Sequence, residues 1–197
     1  MKHFFKTVIV PALIICCSLG CRTQARDTAE TGDAVQPKDT IIKHIRASFQ
    51  KINGDLTLKK VELDNDEFIS DTTGEIPDNG CSLTGYYKKG TIYKMTAWIG
   101  ISYCLRQYDY YLDNGRPFFI YETEKDFAHD SAGVLNHNKL VPAFEGRYYL
   151  DNGKVIDMKL KGKKLMDQSP SAKSVLGLAA DSKDYLKLIA ARLKKGS

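Results

Sequence analysis

Tyr110-Tyr111-Leu112-Asp113-Asn114-Gly115 and Tyr148-Tyr149-Leu150-Asp151-Asn152-Gly153 are the stretches that decide the fold of this 197-residue chain. In each, a pair of aromatic residues suited to a pleated, half-buried surface runs into Asn-Gly, and Asn-Gly readily takes positive φ at both centres of a two-residue hairpin turn. Tyr86-Tyr87-Lys88-Lys89-Gly90 repeats the arrangement one residue shorter. All three lead into a further apolar or β-prone segment, so at least two antiparallel hairpins are expected. Neighbouring side chains on a strand point to opposite faces, so each pair sends one ring to either side of the sheet. The outward rings of Tyr86, Tyr87, Tyr110, Tyr111, Tyr148 and Tyr149 are then either a stripe that docks a glycan or protein, or cross-strand packing beneath a helix.

Outward from the hairpins, a turn at Gly100 is expected to join the segment ending at Trp98-Ile99 to residues 101–112. Residues 118–122 continue the meander. Upstream, Leu56 and Leu58 alternate in one phase and Val61 and Leu63 in the other, which predicts a strand with a bulge near Lys59-Lys60. The cluster Asp64, Asp66, Glu67 lacks the Gly and distant Glu of a calcium loop and reads as a strand-end turn. Before it, Ile41, Ile42, Ile45, Phe49 and Ile52 recur at helical spacing, with Asp39 or Thr40 as cap and Asn53-Gly54 as a left-handed stop. After the last hairpin, Ser169-Pro170 opens a helical pattern through Val175, Leu176, Ala179, Leu186, Ile189 and Leu193, with a candidate break at Asp181-Ser182. The expected class is α+β: an N-terminal helix, an antiparallel β meander of about five to seven strands and a C-terminal helical segment able to cover the sheet.

The repeated Tyr-Tyr-x-Asp-Asn-Gly hairpins, behind a helix and an export-type N-terminus, resemble lipoproteins of Bacteroidetes-type bacteria. This resemblance covers most of residues 39–164 and implies no particular activity and no catalytic residue. The turns alone are distantly similar to the hairpin repeats of MORN and YwqK-type families, though the spacing between hairpins here is irregular.

Lys2 and Lys6 precede an almost wholly aliphatic run from Val8 to Ile15, with no acidic residue before Asp27. A charged start and a short apolar run of this kind form an export signal. The run ends in Ser18-Leu19-Gly20-Cys21, which resembles a lipobox with Ser and Leu in reversed order. The expectation is a signal peptide over 1–20, a lipid-modified (palmitate-bearing) Cys21, a flexible polar tether over 21–38 and one α+β domain over 39–197. An uncleaved anchor is the competing reading, but residues 4–20 are at the short limit of the roughly 17 to 25 that span a bilayer. Arg22 rather than Asp after Cys21 favours, by resemblance to lipoprotein sorting, the periplasmic face of the outer membrane. The membrane is thus an expected partner, through the lipid on Cys21.

The formal charge of +5 falls to +3 without the leader, and the lysines are not grouped as a nucleic-acid groove requires, so no nucleic-acid partner is expected. Cys81 and Cys104 are a candidate disulfide in an oxidising compartment, with pairing left open because sequence does not place their Cα atoms. Neither has the His or Cys neighbours of a zinc site, and no phosphate loop occurs, so no metal or cofactor is expected. Residues 124–145 break the β pattern with charged residues, Asn, Gly and His, and read as a long loop, functional or mobile. His129 and His137, with Asp126 and Asp130, are the candidate acid/base or metal cluster of a hydrolase built on that loop. The leading expectation is instead a non-enzymatic envelope lipoprotein whose sheet or loop binds an envelope protein or glycan. An immunity or inhibitor protein against an envelope-targeting toxin is a further alternative. Sequence leaves the oligomeric state open.

Overall fold

All three Gly-terminated turns close through two residues of positive φ: Lys89 and Gly90 (50° and 79°), Asn114 and Gly115 (49° and 75°), Asn152 and Gly153 (48° and 75°). These are mirror-image turns, whose twist matches that of the strands they join. The computed structural model describes residues 37–69, 76–166 and 169–195, all within one compact unit, Gln36–Ser197. The leader, Cys21 and nearly all of the tether lie outside the described residues. The elements run α1 (Lys38–Gly54), β1 (Lys59–Leu63), α2 (Asn65–Ile69), β2 (Cys81–Lys88), β3 (Thr91–Ile101), β4 (Cys104–Asp113), β5 (Arg116–His129), β6 (Leu135–Asp151), β7 (Lys154–Gly162) and α3 (Ala172–Lys195). The seven strands form one sheet in chain order, every neighbour antiparallel. The class is α+β, as the patterning predicts.

The three hairpins share a second feature. In each, the returning strand carries one unpaired residue, the third after the turn glycine: Tyr93, Phe118 and Ile156. These bulges place Phe118 and Ile156 in the core under α1, while Tyr93 lines the cleft beside that helix. The Tyr pairs split across the sheet. Tyr110 and Tyr148 pack with Leu83, Met95, Ile120, Val175 and Ile189 in the core under α3. Tyr111 and Tyr149 pack with Phe119, Ile42 and Ile45 in the core under α1. There Phe49 stacks on Phe119 at 4.8 Å and meets Tyr111 edge-on at 5.7 Å. Both faces are therefore covered by helices, and burying each such large side chain stabilises the sheet by about 1.5–3 kcal/mol before entropy.

Seven local expectations are corrected. Asp66 and Glu67 lie in the short helix α2 rather than a strand-end turn, and α3 starts at Ala172, capped by Ser171, rather than at Ser169-Pro170. Gly100 lies inside β3, paired with Leu105, and the turn falls at Ser102-Tyr103. β1 begins only at Lys59, with Leu56 in a turn and almost fully exposed. α1 has no side-chain cap at its start and ends in extended backbone at Asp55 rather than a left-handed stop. α3 runs unbroken through Asp181-Ser182, because the buried Ser182 hydroxyl donates back to the Ala179 carbonyl (2.8 Å) and needs no other partner. Residues 124–145 are not an irregular loop. They form the ends of β5 and β6, with register shifts at Glu124/Lys125 and Phe127/Ala128 that break the two-residue period.

Candidate functional site

β5 carries Glu122, Glu124 and Asp126 at alternate positions, so all three acids point to the α3 side of the sheet. Glu122 and Glu124 are each 1% exposed. Arg106 stands opposite Glu124 on β4 and donates from Nε to Glu124 Oε2 (2.7 Å). The chain leaving β7 folds back over this row as a strap. The Lys163 amide donates to the Ala143 carbonyl (3.0 Å), Lys164 pairs with Glu122 Oε1, and the Leu165 amide donates to Glu124 Oε1 (3.3 Å). Gly146, across from Glu122, leaves the space that the Tyr148 ring crosses, so the Tyr148 hydroxyl donates to Glu122 Oε2 (2.5 Å). Burial next to Glu122 pushes the Tyr148 phenol far above its usual range. Three carboxylates thus face two cations.

The uncompensated member is Asp126, whose Oδ1 is buried without a hydrogen-bond partner. Desolvation, then the charge of Glu124, raises its pKa, while Arg106 opposes the rise. Cys104 is fully buried beside it, its thiol pushed up to about 11, mainly by desolvation. Cys104 Sγ and carboxylate oxygens of Glu124 and Asp126 lie within 4.8 Å of one another, close enough to hold a metal ion. Their chemistry fits a metal poorly. Both oxygens of Glu124 already accept hydrogen bonds, and the Arg106 guanidinium already supplies the positive charge. On the opposite face Asp109 is similarly neutralised, by Lys94 (3.1 Å), the Thr96 hydroxyl (2.7 Å) and the Gln107 amide (3.2 Å).

The residues singled out from sequence do not converge. Asp126 is the half-buried end of the acid row just described. Asp130 shapes the β5–β6 turn by accepting from the amides of Ala132 and Val134, both at 2.9 Å. His129 is exposed at the end of β5, opposite Leu135. His137 lies against the Phe127 ring at 4.5 Å, and no metal-capable group among the described residues includes either histidine. Cys81 and Cys104 are free thiols. They sit on β2 and β4 with β3 between them and are offset by two residues along the strands, so two strand spacings alone, roughly 9 to 10 Å, put them beyond disulfide reach. Four of the six tyrosines are buried, and Tyr86 and Tyr87 are half-buried, so the rings form no open stripe. The sequence reading missed Glu122, Glu124, Arg106 and Lys164. The available signal was the alternation Glu122-Thr123-Glu124-Lys125-Asp126 inside a β segment, which puts three acids on one face.

The chain matches no family model, curated protein or solved structure.

Past the acid row, β5 and β6 outrun their neighbours. The last β4–β5 pair is Cys104 with Asp126 and the last β6–β7 pair is Phe144 with Gly162, whereas β5 and β6 stay paired to His129 and Leu135. Residues 127–142 therefore form a two-stranded arm. It exposes Val134 (61%), Leu140 (38%) and Val141 (46%), and beside its root Leu160 (43%), Leu165 (55%) and Met166 (69%) are also exposed. The register makes part of this set contiguous: Val141 pairs with Asp126, Leu165 bonds Glu124, and Leu160 pairs with Gly146 opposite Glu122.

Proposed function

We propose that this chain is a non-enzymatic, lipid-anchored envelope protein that docks another envelope protein through the root of the β5–β6 arm and the strap beside it. The observation that carries the reading is the exposed set Val141, Leu160 and Leu165, which the register groups along the acid row on one face, with Leu140 on the other face of the arm and Met166 next along the strap. Contiguous apolar surface of this kind marks interaction sites on soluble domains. The buried network beneath it supports the reading: Glu122 and Glu124 pin the strap, so Leu165 and Met166 stand on a fixed base. The lipid on Cys21 and residence at the periplasmic face of the outer membrane belong to the same proposal. A hydrolase on His129 and His137 finds less support, because Asp130 is engaged in the turn and His137 lies on Phe127.

The test is photo-crosslinking from position 141 in the native envelope, with the exposed position 183 on α3 as control. A discrete adduct at 141 alone is expected, and Leu140→Asp/Val141→Asp should weaken it by at least about ten-fold, the effect of roughly 1.4 kcal/mol. The same adducts from both positions, or none from 141, would overturn the proposal.

A further inference from the structure

A second surface lies on the opposite face. Between the first turns of α1 and β7 is a cleft of about 450 Å³ lined by Lys38, Asp39, Lys43, Arg46, Asp157 and Lys159. Lys38 neutralises Asp157 (3.0 Å). The Arg46 guanidinium is held by the Tyr149 hydroxyl (3.4 Å) and over the Tyr149 ring at 5.6 Å, with Asp157 and Asp39 acting on it through charge alone. No described ion pair includes Lys43, Arg46 or Lys159. Four cations therefore face two acids. Lys161, two residues on from Lys159 and exposed on the same face of β7, extends the positive strip. The cleft also has a fixed place relative to the chain, since Lys38, on its rim, is the first residue of α1. A chain of the length between Cys21 and Lys38 has a root-mean-square reach of roughly 20 to 25 Å when flexible.

We infer that this cleft binds the phosphate headgroups of anionic phospholipids and seats the domain on the bilayer. The inference rests on the lipid-anchor reading only for orientation: an acyl group on Cys21 keeps the cleft near the headgroups, so weak contacts act at high effective concentration. Charge complementarity selects the occupant. Guanidinium and ammonium groups pair well with phosphate oxygens, and the excess of cations matches an anionic surface rather than a neutral one. The apolar arm serves a protein partner and the basic cleft serves the membrane, which leaves both accessible at once.

The experiment uses residues 21–197 carrying Cys21→Ser, which contain the whole compact unit and cannot be acylated at position 21. Flotation is compared on vesicles of phosphatidylcholine alone and of phosphatidylcholine mixed with phosphatidylglycerol. Binding to the mixed vesicles only, released by salt, is expected. Lys43→Gln/Lys159→Gln should weaken it by about 25-fold, at about five-fold per charge. Lys173→Gln/Lys183→Gln on α3 should leave it unchanged, and circular dichroism establishes that both variants fold. Equal binding to both vesicles, no binding to either, or indifference to Lys43→Gln/Lys159→Gln overturns the inference. Release from mixed vesicles by inorganic phosphate at constant ionic strength, with no release by chloride, overturns the membrane as occupant and assigns the cleft to a soluble phosphate. The anchor reading is judged separately, by the acyl mass of native protein, so either can fail alone.

Discussion

Glu122 owes its buried charge to two partners from different parts of the chain, the Tyr148 hydroxyl on β6 and Lys164 on the strap. Removing one partner of a buried pair leaves an uncompensated ion and costs about 3–5 kcal/mol. Lys164→Ala should therefore lower Tm by roughly 6 to 20 °C, at roughly 2–4 °C per kcal/mol for a domain of this size. Glu122→Gln/Lys164→Met, which removes both charges, should recover most of that loss, and a double variant as unstable as Lys164→Ala would refute the assignment. Asp126 behaves differently, because burial raises its folded pKa above the unfolded value. The folded state then holds the proton more tightly, stability falls as pH rises through that window, and the penalty is complete at neutral pH. Asp126→Asn should melt above the wild type at pH 7, with the advantage fading below about pH 4, where an unfolded Asp is also protonated. Melting below the wild type at pH 7 would mean that a partner holds Asp126 ionised. This residue-scale chemistry was hard to read from sequence, because acids in a β segment are assigned to solvent by default and nothing local reveals Arg106 and Lys164 arriving from other strands.

At the scale of elements, what the sequence made legible was backbone chemistry. Lys89-Gly90, Asn114-Gly115 and Asn152-Gly153 each take positive φ, and that local requirement pairs six strands two by two, where the patterning had called for at least two hairpins. Where a residue type has several uses, the reading failed. Gly100 looks like a turn but sits inside β3 because a side chain there would strike the backbone of Asn79. Leu56 looks like core but lies in an exposed turn. Gly85 has a similar steric role on β2, where a Cβ would come within 2.5 Å of Ile189 Cγ2. Its absence lets α3 lie close against β2. Gly85→Ala should destabilise the domain by about 1–3 kcal/mol, the usual cost of overpacking. Combining it with Ile189→Ala should give less than the sum of the two single losses, since the collision is relieved. Strict additivity in denaturant melts would place the cost in the β2 backbone instead.

For the whole molecule, the arrangement separates what holds the fold from what the arm leaves exposed. The sheet is covered on one face by α1 and on the other by α3, and both cores draw on the Tyr pairs of the hairpins. That explains why aromatic residues which could have served a glycan surface are structural. The arm contributes no residue to either core, and Phe127 is its one buried residue among those described. It should therefore open locally while the sheet stays intact, and be dispensable to folding. Phe127 pairs with Leu140, so replacing residues 128–139 by Asn-Gly closes the arm at an existing cross-strand pair with a favoured turn. The shortened chain should keep its sheet spectrum and lose no more than about 4 °C in Tm, or roughly 1 kcal/mol. It removes His129 and His137 together, so any hydrolytic activity that disappeared with them, at unchanged stability, would restore the enzyme reading. A loss of stability as large as that of Lys164→Ala would instead make the arm part of the core and weaken the case for it as a docking element.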